Sequence, residues 1–246
     1  MQVIPAIDLR GGKCVRLHQG DYSRETVFDG DPVDIGRRWV AAGAERVHIV
    51  DLDGARDGVR ANAPVVAELV KSLGVPVQVG GGIRDAQGAA EVLALGVDRV
   101  IFGTAAIEAP LEVEKTVKIH GAGRVMVGVD ARDGMVATRG WKETTRVAAA
   151  DLMLEMAGRG VRRVMYTDIS RDGTLSHPNF EAAAVLVRKV RYPIVIAGGV
   201  ATIEDLLRLA GLGAEAAVTG MAIYTGALDL GRAITEAKAA RPAADA

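Results

Sequence analysis

The chain has 246 residues, of which 49% are hydrophobic and only 4% aromatic, and it carries a formal net charge of -1. The near-neutral charge excludes the basic surface typical of nucleic-acid binding, and a single cysteine excludes an internal disulfide. No apolar run is long enough to span a membrane, and the N-terminal "MQVIPAIDLRGG" lacks the features of a signal peptide, so we expect a cytoplasmic protein without nucleic-acid or membrane partners.

Short apolar runs recur along the chain and predict strands that are buried on both faces, as in a parallel sheet. In chain order they are "QVIPAID" (2–8), "RVHIVDL" (46–52), "VPVQVG" (75–80), "DRVIFG" (98–103), "RVMVGVD" (124–130), "RRVMYTD" (162–168), "PIVIAG" (193–198) and "AAVTG" (216–220). Segments with helical spacing lie between them, and Asn62 and Thr202 are candidate N-caps for two of these helices. The alternation predicts an α/β protein with a (β/α)8 TIM barrel, and an open doubly wound sheet is the alternative.

The second half of the chain repeats the strand ends of the first. Three pairs are each 117 positions apart: Gly81 and Gly198, Gly103 and Gly220, and Asp51 and Asp168. A fourth pair, Asp8 and Asp130, is 122 positions apart, a difference that one loop can absorb. We therefore predict one domain over residues 1–246, built from half-barrels at about 1–122 and 123–240 that are related by a pseudo-twofold axis.

Aspartates end half of the predicted strands, where the active sites of such barrels lie. A carboxylate at the end of an apolar strand costs free energy unless it is hydrogen-bonded or used in function. Capping of the following loop is therefore the alternative to a catalytic role. Asp8 and Asp130 occupy equivalent, opposite positions on the ring, so we predict that these two perform acid–base catalysis between them.

Glycines end the other strands and predict two anion sites, because glycine backbone can approach a ligand closely and present free N–H groups. Tight turns are the alternative explanation. The two sets predict a small-molecule substrate with a phosphate at each end. They comprise Gly81, Gly82, Gly103 and Thr104 in the first half, and Gly198, Gly199, Gly220 and Met221 in the second.

The sequence indicates neither a metal nor a cofactor. The histidines at 18, 48, 120 and 177 lack ligand spacing and are expected at the surface or packed in the core. No nucleotide-binding motif is present, and Cys14 is not expected to act as a nucleophile. We therefore predict a cofactor-free proton transfer that isomerises a sugar phosphate.

Longer motifs resemble those of one enzyme family: "VIPAIDLRGGKCVRLHQGDY", "HIVDLDGA", "VGGGIR", "GWKET", "YTDISRDGTLSHPN" and "AGGV". They cover nearly the whole chain and are similar to the histidine-biosynthesis isomerases, the phosphoribosylformimino-aminoimidazole-carboxamide ribotide isomerases. The resemblance implies a half-barrel-symmetric (β/α)8 barrel and an Amadori rearrangement. The reaction would be an aldose–ketose isomerisation, converting the aminoaldose N'-(5'-phosphoribosylformimino)-5-aminoimidazole-4-carboxamide ribotide, a bisphosphate, into its aminoketose.

The resemblance also implies roles for individual residues. Asp8 matches the general base, which removes the C2 proton of the opened aminoaldose. Asp130 matches the general acid, which helps to open the ribose ring or holds the protonated amine. Thr167 and Asp172 match positions that contact the reacting sugar, and some members use the latter carboxylate as the acid. Trp141 matches a loop residue that stacks on the imidazole-carboxamide.

The remaining predicted substrate-binding residues are Arg16, Asp51, Arg84, Asp168 and Gly173. The loops "DARDGMVATRGWKETT" and "SRDGTLSHPN" are expected to be able to close over the substrate. The C-terminal "KAARPAADA" is expected to be frayed.

Alternative functions within the same fold stay open. The sister cyclase resembles the chain less, because its first strand usually has cysteine where Ala6 stands here. Some relatives also convert phosphoribosyl anthranilate, although their fifth-strand loop usually differs from "GWKETT". A non-catalytic phosphosugar-binding barrel would not need both Asp8 and Asp130. We expect a monomer.

Overall fold

The computed structural model describes residues 1–240. Its strands are β1 Gln2–Arg10, β2 Lys13–His18, β3 Asp21–Val27, β4 Val47–Asp51, β5 Val77–Gly80, β6 Arg99–Phe102, β7 Val125–Arg132, β8 Met135–Thr138, β9 Glu143–Ala148, β10 Val164–Asp168, β11 Ile194–Ala197 and β12 Ala216–Thr219. All the strands predicted from the apolar runs are present within this set.

Helices follow the barrel strands. They are α1 Pro32–Ala41, α2 Leu52–Asp57, α3 Ala63–Leu73, α4 Ala86–Ala94, α5 Ala105–Glu108, α6 Pro110–His120, α7 Ala149–Gly158, α8 Phe180–Val190, α9 Ile203–Gly211, α10 Met221–Tyr224 and α11 Leu230–Ala239. Thr202 caps α9 as predicted, in a capping box with Asp205. Of the C-terminal segment expected to fray, Lys238 and Ala239 belong to α11, and 241–246 lie outside the described residues.

Eight parallel strands close into a barrel in the order β1, β4, β5, β6, β7, β10, β11, β12. The ring closes because β12 pairs with β1, from Gln2 opposite Ala216 to Pro5 opposite Thr219. This confirms the (β/α)8 fold and excludes the open sheet. In this ring β1 and β7 lie four strands apart, so Asp8 and Asp130 come from opposite sides of the barrel.

Each half also carries a β-hairpin that the sequence analysis did not predict. β2 and β3 extend antiparallel from β1, and β8 and β9 extend from β7. The β1–β2 turn is Gly11-Gly12 and the β7–β8 turn is Asp133-Gly134, and all four residues have positive φ. Two-residue turns of this kind match the twist of a hairpin. The first part of the loop "DARDGMVATRGWKETT" is therefore a strand pair.

The core has two layers. Inside the ring, a small apolar cluster includes Ile4, Ala6, Ile101, Met126 and Met165. A larger cluster fills the space between the strands and the surrounding helices. This packing leaves the C-terminal mouth of the ring as the place where polar side chains converge.

Ion pairs repeat at the opposite, N-terminal face. Arg46 pairs with Asp98 at 2.6 Å, and Arg163 pairs with Glu215 at 2.5 Å. Each residue of the second pair stands 117 positions after its counterpart in the first. The repeat therefore extends from the mouth to the base of the barrel. Over residues 1–240, no helix has both the length and the apolarity needed to cross a bilayer.

Candidate active site

A cavity of about 850 Å³ opens at the C-terminal ends of the barrel strands. The structure brings all four predicted catalytic residues into its lining, and seven of the predicted substrate-binding residues as well. These are Asp8, Asp130, Thr167 and Asp172, together with Arg16, Gly81, Gly82, Arg84, Gly103, Thr104 and Trp141.

Asp8 and Arg16 form a buried ion pair on one side of this cavity. Arg16 Nη1 lies 2.8 Å from Asp8 Oδ2, and the two residues are 7% and 9% exposed. Burial raises the pKa of Asp8 above its ordinary value, while the Arg16 guanidinium acts in the opposite direction. Asp8 therefore combines a cationic partner with an increased affinity for a proton, as a general base requires.

Asp130 lies across the ring and accepts a hydrogen bond from an aromatic side chain. Trp141 Nε1 donates to Asp130 Oδ2 at 2.8 Å. Burial raises the pKa of Asp130, and hydrogen bonds from Trp141 and Thr167 oppose that rise. Because an indole N–H can only donate, the contact favours the carboxylate form of Asp130.

Trp141 reaches Asp130 from an unusual backbone conformation, with a φ of +67°. Its ring lies against the turn of the first hairpin: a Cβ added at Gly20 would be 2.4 Å from Trp141 Cε3. The two hairpins, one from each half-barrel, therefore meet over the cavity. A positive φ at a bulky residue is costly and persists where the surroundings impose it.

Asp172 lies on the loop between β10 and α8, near Asp8 and Arg16. The first hairpin holds this loop, because Gln19 donates its backbone N–H to the Asp172 carbonyl and its side chain to the Ser170 carbonyl. Burial, opposed by Arg16 and assisted by the Asp8 charge, raises the pKa of Asp172 to about 6. A carboxyl of this kind can hold and release a proton near neutral pH.

Two predicted substrate-binding aspartates lie outside the cavity lining. Asp51 Oδ1 accepts from Gly54 N at 3.0 Å and Asn62 Nδ2 at 2.7 Å. Asp168 accepts from Ser170 and from Asn179 Nδ2 at 2.8 Å. These contacts hold the loops that follow β4 and β10 in place. Asn62 and Asn179 are themselves 117 positions apart, so the structure shows a repeated aspartate–asparagine lock.

The prediction that Asn62 is an N-cap is confirmed for its position only. It stands at the cap position of α3, but its side chain makes no capping bond. Instead its amide binds Asp51 and Asp53, and its oxygen accepts from Gly12 N at 2.9 Å. The β1–β2 turn, through Gly12, and the carboxylates of Asp51 and Asp53 therefore take the hydrogen bonds of the Asn62 side chain in place of the helix.

The first-half glycines line the cavity, and close backbone packing explains why they are glycine. A Cβ at Gly82 would lie 2.2 Å from the Gly54 carbonyl, and one at Gly81 would lie 2.2 Å from the Asp51 carbonyl. Within residues 1–240, the N–H groups of Gly82 and Ile83 meet no acceptor. The turn therefore fits both explanations given for its glycines: it packs tightly against neighbouring backbone, and it presents free N–H donors of the kind that an anion site needs.

The second-half set, Gly198, Gly199, Gly220 and Met221, does not line this cavity, and neither does Gly173. The β10–α8 loop lies over the second glycine set, because a Cβ added at Gly199 would be 2.4 Å from the His177 carbonyl. Gly173, on the same loop, packs on the Leu17 carbonyl. At Gly220 the neighbour is the Arg16 guanidinium, 2.4 Å from an added Cβ. Arg16 Nε is buried and has no partner among residues 1–240. A cation with a free donor therefore lies over the second glycine set.

The sequence analysis missed one polar group at the floor of the cavity. His48, expected at the surface or packed, is 3% exposed and lines the cavity, and its Nδ1 lies 3.2 Å from Gln78 Nε2. Gln78 in turn contacts Arg99. The sequence signal that could have found this group is a polar residue inside an apolar run, as with His48 in "RVHIVDL" and Gln78 in "VPVQVG".

Comparison with known proteins adds independent information. Residues 2–229 match the family described as histidine biosynthesis protein. Similar curated proteins carry the name 1-(5-phosphoribosyl)-5-((5-phosphoribosylamino)methylideneamino)imidazole-4-carboxamide isomerase. That of Roseiflexus sp. (strain RS-1) is 50% identical, over 95% of this chain and 98% of its own. That of Cyanothece sp. (strain PCC 7425) is 52% identical over 95% and 92%, and that of Chloroflexus aggregans 49% over 98% and 99%.

Proposed function

The chain belongs to the histidine biosynthesis protein family, and from this we infer that it is an aldose–ketose isomerase acting on the aminoaldose ribotide named for its relatives. The observation that carries this proposal is the convergence of Asp8, Asp130 and Asp172 in one cavity flanked by glycine turns. The reaction converts the phosphoribosylamino group into a phosphoribulosylamino group. It needs no external oxidant, because C2 of the sugar is oxidised while C1 is reduced.

The proton transfers follow from the surroundings of the carboxyl groups. An acid protonates the ring oxygen of the ribosylamine, so that the ring opens to a C1 iminium. Asp8 then removes the C2 proton, and the electron pair moves toward C1 to give an enaminol. Loss of the hydroxyl proton and protonation of C1 complete the ketone. Each step is a proton transfer between positioned groups, typically worth about 10²–10⁴-fold in rate.

We assign the acid to Asp172 rather than to Asp130. The pKa of Asp172 rises to about 6, so this carboxyl keeps a proton into the mildly acidic range. Burial raises the pKa of Asp130 too, and the hydrogen bonds that it accepts from Trp141 and Thr167 oppose this rise without reversing it. Because Trp141 Nε1 donates to Asp130 Oδ2, we assign this carboxyl group the other role, that of holding the protonated amine of the opened intermediate. Of the two roles that the family resemblance implied for Asp130, this assignment keeps the holding of the protonated amine and gives ring opening to Asp172.

The phosphates are proposed to bind at the two glycine sets. In the first half, the N–H groups of Gly82 and Ile83, which meet no acceptor within residues 1–240, would bind one phosphate. In the second half, the unpartnered Nε of Arg16 over Gly220 supplies a charged donor. Trp141, which lines the space between them, offers its indole face to the imidazole-carboxamide. All these groups come from one chain, so a monomer suffices.

An assay with two substrates tests the proposal. The purified protein is expected to convert the formimino ribotide into its aminoketose and to leave phosphoribosyl anthranilate unchanged. Conversion of both would show the bifunctional alternative. Binding of the ribotide without conversion would show a non-catalytic barrel, and cyclised product formed only with added ammonia would show the cyclase.

A further inference from the structure

One row of polar side chains crosses the otherwise apolar interior of the barrel. His48 on β4, Gln78 on β5 and Arg99 on β6 are 3%, 0% and 8% exposed. The positions 117 residues later hold Met165, Val195 and Ala216, which belong to the apolar interior cluster. The row is therefore present in one half of the repeat and absent from the other. Buried polar groups cost free energy unless they are hydrogen-bonded.

The hydrogen bonds along this row have a fixed direction. Arg99 Nη1 lies 3.3 Å from Gln78 Oε1, and a guanidinium only donates. The Gln78 amide is therefore oriented with its oxygen toward Arg99 and its NH₂ toward His48. Gln78 Nε2 then donates to His48 Nδ1 over 3.2 Å. An Nδ1 that accepts cannot carry a proton, so the neutral ring has its proton on Nε2.

The ring of His48 is neutral at physiological pH, because burial and the nearby Arg16 charge lower its pKa to about 3. His48 lines the cavity together with Asp8 and Gly80. Its Nε2–H has no acceptor among residues 1–240, since the ring's hydrogen bond is the one made by Nδ1. The row thus supplies the cavity with an uncharged hydrogen-bond donor in a region otherwise dominated by carboxylates and Arg16.

We propose that Gln78, oriented by Arg99, is a positioning residue that fixes His48 as the Nε2–H tautomer, so that His48 donates to an oxygen of the sugar phosphate between the two phosphate sites. The proposal rests on the proposed function for the identity of that oxygen. The tautomer itself is a property of the free protein. A neutral donor can bind a hydroxyl or carbonyl oxygen without pairing with the neighbouring carboxylates, which a charged imidazolium would do.

The tautomer can be measured directly, because the chain has only four histidines. Imidazole ¹⁵N resonances report which ring nitrogen is protonated, and loss of one signal set in His48→Asn assigns His48. At neutral pH we expect a single Nε2–H tautomer in the wild type. In Gln78→Met the donor to Nδ1 is gone, so we expect a mixture. In Gln78→Glu the carboxylate can only accept, so we expect the proton on Nδ1.

Val195→Thr is the matched control, because it places a polar group at the equivalent position of the other half without contacting His48. Its His48 resonances should equal those of the wild type. An Nδ1–H or doubly protonated wild-type ring would overturn the proposal, and so would a Gln78→Met spectrum identical to the wild type. Far-UV circular dichroism and thermal unfolding establish that each variant is folded before its spectrum is interpreted.

Kinetics provides the second readout. Loss of an orienting partner typically lowers activity by about 10–100-fold, so kcat/KM of Gln78→Met and Gln78→Glu should fall by at least about tenfold relative to Val195→Thr. A tautomer change without any change in kcat/KM would overturn the role in substrate binding. A wild type that is inactive toward the ribotide would refute the proposed function instead, and the ¹⁵N result would still decide the tautomer.

Discussion

Three carboxyl groups share the cavity, and each has a different immediate neighbour. Asp8 is paired with the Arg16 guanidinium, Asp130 accepts from the Trp141 indole, and within residues 1–240 no side chain donates a hydrogen bond to the Asp172 carboxyl group. Burial raises the pKa of all three carboxyl groups, and the partners that oppose this rise differ from one group to the next. Such differences allow one fold to perform acid and base steps at a single pH.

The pH dependence of kcat/KM should identify the acid. The pKa of Asp172 is raised to about 6 by burial and the Asp8 charge, while Arg16 and His18 oppose the rise. The protonated, active form is therefore present below that pKa and is lost as pH rises through it. We expect a descending limb centred near pH 6 in the wild type. Asp172→Asn should lose this limb and about 100-fold in rate. A descending limb that persists in Asp172→Asn would assign the acid elsewhere.

At this scale the sequence predicted the residues at the mouth but not their partners. Asp8 and Asp130 stood out because they repeat at strand ends. Asp51 and Asp168 repeat equally well, yet they bind asparagines and close loops. The sequence pattern places all four aspartates at the same rim, and only the direction of each side chain distinguishes those that we propose to be catalytic from those that hold loops. The Gln78–His48 contact was invisible because its partners lie on different strands.

Glycine turns are the element on which the cavity rim depends. Gly82 has a φ of +70°, and an added Cβ would meet the Gly54 carbonyl. Gly199 has the same relation to the His177 carbonyl. Each glycine therefore lets one βα loop lie on the next, which determines the position of the N–H groups that we propose to bind phosphate.

Gly82→Ala should destabilise the protein by more than about 2 kcal/mol, because backbone strain and a clash with a carbonyl add together. Urea unfolding measures the loss. Gly158→Ala is the control, since its added Cβ meets no atom within 4 Å outside its own helix among residues 1–240, and its φ is not positive. Its stability should stay at or above that of the wild type. Equal stability of the two variants would mean that the rim can relax around an added methyl group.

The elements themselves could be predicted from the sequence to different degrees. The barrel strands were found because buried parallel strands are continuous apolar runs. The hairpin strands β3 and β9 were missed because they are largely exposed and polar, as in "DYSRETV" and "ETTRVA". The turns that lead into β3 and β9 each contain a glycine of positive φ, Gly20 and Gly140, and such a glycine is the available sequence signal for a hairpin.

The two halves of the molecule share residues at the 117-position spacing but differ in their interiors. The mouth, the loop locks and the basal ion pairs are duplicated, while the polar row around Gln78 belongs to the first half alone. The sheet nevertheless closes through β1–β12 and β6–β7, so neither half has a complete barrel without the other.

The chain should therefore unfold as one unit. It contains two tryptophans, Trp39 in the first half and Trp141 in the second. Trp39→Phe and Trp141→Phe each leave a single fluorescent reporter. Circular dichroism measures the stability change that each substitution causes. Within each variant, the urea transition followed by fluorescence should then coincide with the transition followed by circular dichroism. A fluorescence transition that departs from the circular dichroism transition in either variant would indicate two independently unfolding halves.

The central claim is that one carboxylate from each half-barrel acts on a bisphosphate held between them. The most direct test is turnover and binding of the formimino ribotide by Asp8→Asn and Asp130→Asn, both of which keep the shape of the side chain. We predict that turnover falls by about 10²–10⁴-fold in each variant, while calorimetry shows that the ribotide still binds. Wild-type turnover in either variant would contradict the account.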